Sequence, residues 1–277
     1  MQQQNLVSTD WLEQHLHDTD LVVIDCRFQM GKPDQGIADY VQAHIPGALY
    51  FHLEQDLSAA KAAHGGRHPL PDQAALTRLF SQAGIDERVT VVVYDGQDLS
   101  MAARLWWLLR YMGHDKAAVL DGGFAAWQRE GRPVTQEVTT PAPRVFTAKP
   151  QTWMLATVKD VQERQPETAL LDSRAGERYR GEVETLDVKA GHIPGAVNYF
   201  YKDNLRENGT MRPLAELQER FASLADRPLI VYCGSGITAC VNLLALHQIG
   251  RTDARLYAGS WSDWISYEQN PIATGEE

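Results

Sequence analysis

One series of short motifs runs through the chain twice in the same order, which confines it to a fold made of two copies of one unit. The first pass reads Leu21-Val-Val-Ile-Asp25-Cys-Arg27, then Ala43-His44-Ile-Pro-Gly47-Ala48, then Thr90-Val-Val-Val-Tyr94-Asp95-Gly96, then Val119-Leu-Asp121-Gly-Gly-Phe-Ala-Ala-Trp127. The second reads Ala169-Leu-Leu-Asp172-Ser-Arg174, Gly191-His192-Ile-Pro-Gly195-Ala196, Pro228-Leu-Ile-Val-Tyr232-Cys233-Gly234 and Arg255-Leu-Tyr-Ala258-Gly-Ser-Trp-Ser-Asp-Trp264. Spacing is kept as well as order: Asp25 to His44 is 19 positions and Asp172 to His192 is 20.

The short β-branched runs Leu21–Ile24, Val89–Val93 and Leu229–Val231 predict strands buried on both faces. The stretches Ala102–Met112 and Ala239–Gln248 predict amphipathic crossover helices between them. Such alternation implies an α/β fold, a mainly parallel sheet with helices on both faces, in each of two homologous domains. Ligands of such sheets bind beyond the carboxyl ends of strands, where Tyr94-Asp95 and Tyr232-Cys233 fall. The segment Gly131 to Arg144, rich in Pro and Thr and without periodicity, reads as an interdomain linker. The expected division is a first domain over 1–134, a linker over 135–144 and a second domain over 145–277.

A formal net charge of −10 argues against a general nucleic-acid or anionic-membrane surface, since both need clustered positive charge. No segment approaches the roughly 18 unbroken apolar residues of a membrane span, and the first ten residues have neither the positive nor the apolar region of a secretory signal. The expected location is the cytoplasm. Cys26, Cys233 and Cys240 form neither an even disulfide framework nor the paired spacing of a zinc site. No metal or organic cofactor is therefore expected, and at least one thiol is free for chemistry.

Cys233 carries the strongest functional signal. It ends a strand and is followed by Gly234-Ser-Gly236-Ile237-Thr238 and a helix. Two glycines let the backbone curl with its N–H groups inward, an anion-binding concavity closed by the helix N-terminus. Those dipoles favour a thiolate, the form a nucleophile needs, and would hold the terminal sulfur of a persulfide equally well. Ser235 and Thr238 can add hydroxyl donors, Thr238 also fitting a helix N-cap. Cys240 and Cys26 read as small buried apolar residues.

Together the His-Ile-Pro-Gly-Ala pairs, the Asp-x-Arg strand ends, the Asp-Gly-Gly-Phe-x-x-Trp ending and the Cys-Gly-Ser-Gly-Ile-Thr-Ala loop resemble the tandem-domain rhodanese sulfurtransferases over almost the whole chain. Within that family the loop is similar to that of the 3-mercaptopyruvate sulfurtransferases, whereas thiosulfate-using members usually carry Arg-Lys after the cysteine. The resemblance implies a catalytically silent first domain, with Asp95 at the cysteine position, and sulfur transfer from 3-mercaptopyruvate through a Cys233 persulfide. The acceptor would be a thiol such as thioredoxin, or cyanide. It also implies that Arg178 binds the donor carboxylate and that Gly234, Gly236, Ile237 and Thr238 line the donor site. His68, brought by Gly65-Gly-Arg67-His68-Pro-Leu-Pro71, would join an acid, Glu54 or Asp56, and Ser235 in a proton relay. Arg67 would add positive potential.

One departure from the family pattern bears on the donor. A second arginine usually precedes Gly-His-Ile-Pro-Gly, and this chain reads Glu182-Val-Glu-Thr-Leu-Asp187-Val-Lys189 there, with Lys189 the remaining candidate for a replacement charge. The uncharged loop favours the monoanionic mercaptopyruvate over dianionic thiosulfate. Thiosulfate:cyanide sulfurtransferase is the alternative activity, and a non-catalytic redox or binding module is a third reading. A cysteine phosphatase would need an arginine six positions after the nucleophile, where Ala239 stands. Because His44, His192 and the Asp25/Arg27 and Asp172/Arg174 pairs recur in an active and a silent domain, they are expected to serve architecture.

Overall fold

The computed structural model describes residues 5–276. In chain order the first half forms β1 (Leu6–Val7), α1 (Thr9–His15), β2 (Leu21–Asp25), α2 (Gln35–Gln42), β3 (Leu49–Tyr50), α3 (Gln73–Gln82), β4 (Thr90–Tyr94), α4 (Ser100–Tyr111), β5 (Ala117–Leu120) and α5 (Gly123–Arg129). The second half repeats the pattern as β6 (Leu155–Ala156), α6 (Val158–Gln162), β7 (Ala169–Asp172), α7 (Gly176–Tyr179), β8 (Ala196–Asn198), α8 (Leu214–Arg220), β9 (Leu229–Tyr232), α9 (Ala239–Gln248), β10 (Arg255–Tyr257) and α10 (Ser260–Trp264). Each half builds one five-stranded sheet, ordered β1-β5-β4-β2-β3 and β6-β10-β9-β7-β8, and every pairing is parallel.

The β-branched runs become the central strands because only a strand covered on both faces can bury consecutive apolar side chains. Val91 to Tyr94 in β4 and all four residues of β9 are buried. The helix expected at Ala239–Gln248 has those bounds, but Ala239 to Leu246 are buried without a break. It is a core helix rather than an amphipathic one, and its one strongly polar core residue, Asn242, is satisfied by Asn204, Ser173 and the Tyr199 carbonyl.

The chain folds as two compact units that are not continuous in sequence. One takes the chain up to Ala59, Pro71–Gln151 and Arg206–Met211; the other takes Ala60–Leu70, Thr152–Leu205 and Arg212 onward. Residues 60–70 thus pack with the second sheet although their sequence lies in the first half. Gly65 N–H donates to Asp263 at 2.6 Å, Arg67 N–H to Ser262 Oγ at 3.0 Å, and His64 stacks on Tyr267. Gly66 has φ +80°, and a Cβ there would meet the Gly259 carbonyl at 2.4 Å, so the close approach needs glycine.

Within each unit the repeated motifs assemble into one polar core. In the first, Asp25 binds Arg27 through its backbone N–H and its side chain, Arg27 reaches the Ala43 carbonyl, and the Tyr94 hydroxyl donates to Asp25. In the second, Asp172 binds Arg174 in the same way and Arg174 reaches the Gly191 carbonyl. His44 stacks on Tyr40 and bonds its carbonyl, as His192 does with Tyr179. The histidines therefore fasten the helix-to-strand connections α2–β3 and α7–β8 and stack on packed side chains.

Candidate active site

Cys233 follows β9 and begins the loop into α9. Two backbone bonds set the direction of the loop's peptide groups: Trp261 N–H donates to the Cys233 carbonyl at 3.0 Å and Ser262 N–H to the Gly234 carbonyl at 3.0 Å. With those carbonyls drawn toward the start of α10, the following N–H groups turn inward. Gly236 N–H lies 3.1 Å from Cys233 Sγ. Gly236 takes φ +77°, and a Cβ on it would meet the Ala258 carbonyl at 2.3 Å, so position 236 admits only glycine. Buried Ser260, itself at φ +57°, accepts the Cys233 N–H on its hydroxyl at 3.1 Å and donates to the Tyr257 carbonyl at 2.9 Å.

The thiol is 2 % exposed, and burial alone would push its pKa up. The hydrogen bonds win. Donation by the Thr238 hydroxyl and by the Ala239, Ser235 and Gly236 N–H groups brings Cys233 below the ordinary thiol value despite burial. Thr238 is the residue before α9 but makes no side-chain cap to it; its hydroxyl serves the sulfur instead. Cys26, buried beside Asp25, Asp95 and Asp56, is pushed well up by desolvation and those charges. Cys240 Sγ contacts the Gly236 carbonyl at 3.4 Å and is buried.

Two guanidinium groups lie over Gly234. A Cβ at that position would be 2.9 Å from Arg67 Nη2 and 3.5 Å from Arg178 Nη1. Both arginines are held by carboxylates of the segment 182–189. Arg178 donates to Glu184 at 2.8 Å and to Asp187 at 3.3 Å, and Arg67 Nη1 also pairs with Asp187. The Glu184 side chain is 4 % exposed; although desolvation works against its charge, the Leu186 N–H, Arg178 and the Asp187 N–H hold its carboxyl below the usual value. Arg180 pairs with Glu182 and Glu276 on the surface, and Lys189 contributes its backbone carbonyl to Trp261 Nε1.

His68 Nδ1 is 2.8 Å from Ser235 Oγ, and both residues are buried. The segment 60–70 and the Cys233 loop belong to one compact unit, so this pairing is built into the second sheet's own structure. Glu54 and Asp56 belong to the first unit. Glu54 is exposed, with its backbone N–H on His52 Nδ1; Asp56 is half-buried and accepts the His52 N–H at 2.7 Å. Ile237 is buried at the foot of α9, its carbonyl accepting Cys240 N–H.

The first unit contains a counterpart of the same loop. Phe124 N–H binds the Asp95 carbonyl and Ala125 N–H the Gly96 carbonyl, and the Asp95 carboxylate receives the N–H groups of Leu99, Met101 and Ala102. An acidic side chain fills the cradle that Cys233 occupies in the second unit. Burial and the neighbouring Asp98 push that carboxyl up to about 7, the three N–H donors pulling the other way.

Of the residues the sequence singled out, Cys233, Gly234, Ser235, Gly236, Ile237, Thr238, His68 and Arg178 fall in one unit, whereas Glu54, like its alternative Asp56, falls in the other. The sequence missed the carboxylates Glu184 and Asp187, because an acidic run in a loop resembles a solvated surface, and it missed the α10 residues that orient the cradle. The repeated Gly-Phe/Gly-Ser-Trp ending was the available signal for the latter.

A model of the rhodanese-like domain matches residues 8–130 and 155–267. The chain is 43 % identical to a probable 3-mercaptopyruvate sulfurtransferase of Pseudomonas aeruginosa, over all of both chains. It is 36 % identical to the thiosulfate sulfurtransferase of Bos taurus, covering 94 % of this chain and 91 % of that one. Among solved structures, SseA from Escherichia coli, described as a 3-mercaptopyruvate sulfotransferase of rhodanese fold, superposes with a TM-score of 0.83 at 33 % identity, over 94 % of this chain and 99 % of that one.

Proposed function

The chain belongs to the rhodanese family of sulfurtransferases, and from that premise we propose that it moves a sulfur atom from 3-mercaptopyruvate to a thiol or cyanide through a persulfide on Cys233. The observation that carries this reading is the cradle: a buried thiol with the Gly236 N–H 3.1 Å from its sulfur and two guanidinia over the adjacent Gly234. A persulfide is also an anion and finds the same donors there without a metal or cofactor.

In the first half-reaction the Cys233 thiolate attacks the donor sulfur. The S–S bond forms as the C–S bond breaks, and its electron pair passes to the carbon as the enolate of pyruvate. The mercaptan proton is then transferred to that carbon, leaving pyruvate and an anionic persulfide, so no external oxidant or reductant is consumed. Ser235 and His68, 2.8 Å apart, form the relay for that proton, and Arg178 pairs with the donor carboxylate in the two-pronged fashion of a guanidinium. In the second half-reaction a thiol, such as that of thioredoxin, or cyanide takes the outer sulfur and returns the Cys233 thiolate. These acceptors suit a reducing, cytoplasmic setting.

A thiosulfate donor is the second reading. Two guanidinia over Gly234 are a charge pattern that a dianion can use, and relatives such as the Bos taurus protein are named for that donor. Intact-mass measurement after exposure to each donor tests the core of the proposal. The wild type is expected to gain the mass of one sulfur, removable by cyanide, and Cys233→Ser to gain none; retention of loading in Cys233→Ser would overturn it.

A further inference from the structure

The carboxylate of Asp187 bridges Arg67 and Arg178, the two guanidinia that lie over Gly234 next to the nucleophile. Its side chain is only 4 % exposed. Glu184, the other acid here, also accepts the backbone N–H groups of Leu186 and Asp187 and so fixes its own loop. Glu184 is also the closer partner of Arg178, at 2.8 Å, whereas Asp187 contacts both arginines. Arg67 Nε is buried and has no hydrogen-bond partner, so that guanidinium keeps an unused donor beside the loop.

We propose that Asp187 is a positioning residue that sets the donor preference: it neutralises the paired guanidinia until a donor's carboxylate takes its place on Arg178, and so disfavours a dianionic donor more than a monoanionic one. The inference rests on the sulfur-transfer reading and deepens it. Interaction energy scales with the charge of the incoming anion. A change of local potential that alters capture of a monoanion by some factor therefore alters capture of a dianion by about the square of that factor, and both effects shrink as salt rises.

The test compares wild type with Asp187→Asn, measuring kcat and KM for 3-mercaptopyruvate and for thiosulfate at low and high ionic strength. The variant is expected to lower KM for mercaptopyruvate roughly fivefold with little change in kcat, and to raise kcat/KM for thiosulfate on the order of 25-fold, both gains fading in salt. Equal changes for both donors, or a loss for both with an unaltered melting temperature, would overturn the proposal. If Asp187→Asn does not fold, Arg67→Gln supplies the reverse test: thiosulfate must lose by about the square of the mercaptopyruvate loss, and equal losses again refute the idea. Wild-type protein that takes up no sulfur from either donor would instead refute the underlying sulfur-transfer reading, a result visible before any variant is made.

Discussion

Thr238 shows how much of the cradle around a thiol can rest on a single side chain. At its position before a helix a threonine ordinarily caps the helix, yet here its hydroxyl is turned to the Cys233 sulfur. Losing one hydrogen bond to a charged atom costs about 1.5–3 kcal/mol. Thr238→Val should therefore slow alkylation of Cys233 by iodoacetamide on the order of tenfold at neutral pH. Because the folded thiol lies below its ordinary pKa, wild-type reactivity should persist as pH falls and be lost only through that lowered value. In the variant the loss should come at higher pH. A superimposable pH profile would show that the backbone N–H groups suffice without the hydroxyl.

At the scale of elements, the start of α10 organises two things at once. Its Trp261 and Ser262 N–H groups hold the carbonyls of Cys233 and Gly234, and its Asp263 holds Gly65 N–H and the Tyr257 hydroxyl. Asp263→Ala would leave both donors without their acceptor, at about 1–3 kcal/mol for the buried Tyr257 hydroxyl, and would loosen the segment that brings His68 to Ser235. Urea unfolding should report the lower stability, and sulfur loading from mercaptopyruvate should slow beyond what the stability loss explains. An unchanged loading rate would separate the His68 segment from the chemistry.

What could be read from the sequence follows the range of the interactions involved. The strands, α9 and the Asp-x-Arg corners are encoded by neighbours a few residues apart, and the cradle by the glycines that it requires. The seating of residues 60–70 was not readable in the same way, because Arg67 finds Ser262 195 positions on and no local pattern announces it. Asp187 was hidden for the opposite reason. Its sequence neighbourhood looks solvated, and only the fold brings two half-buried arginines to it.

Across the whole molecule, duplication supplies an internal comparison. The first unit keeps the polar core and the loop geometry of the second but places Asp95 in the cradle. The loop thus turns backbone N–H groups onto whichever side chain occupies it, a carboxyl in the first unit and a thiol in the second. Asp95→Ala should leave three backbone N–H groups without their acceptor and lower thermal stability by about 1–3 kcal/mol. Sulfur uptake should stay at one atom per chain. A second equivalent of sulfur, or none, in intact-mass spectra would contradict the separation of roles between the two units.

The place of residues 60–70 also bears on how the protein is made. A nascent chain emerges from the ribosome with Arg67 195 positions ahead of Ser262, so the stretch that presents His68 must wait for the second sheet to be synthesised before it meets its partners. Cutting the gene between the two halves would separate that histidine from the Ser235 hydroxyl it meets in the folded chain, and neither fragment would carry both.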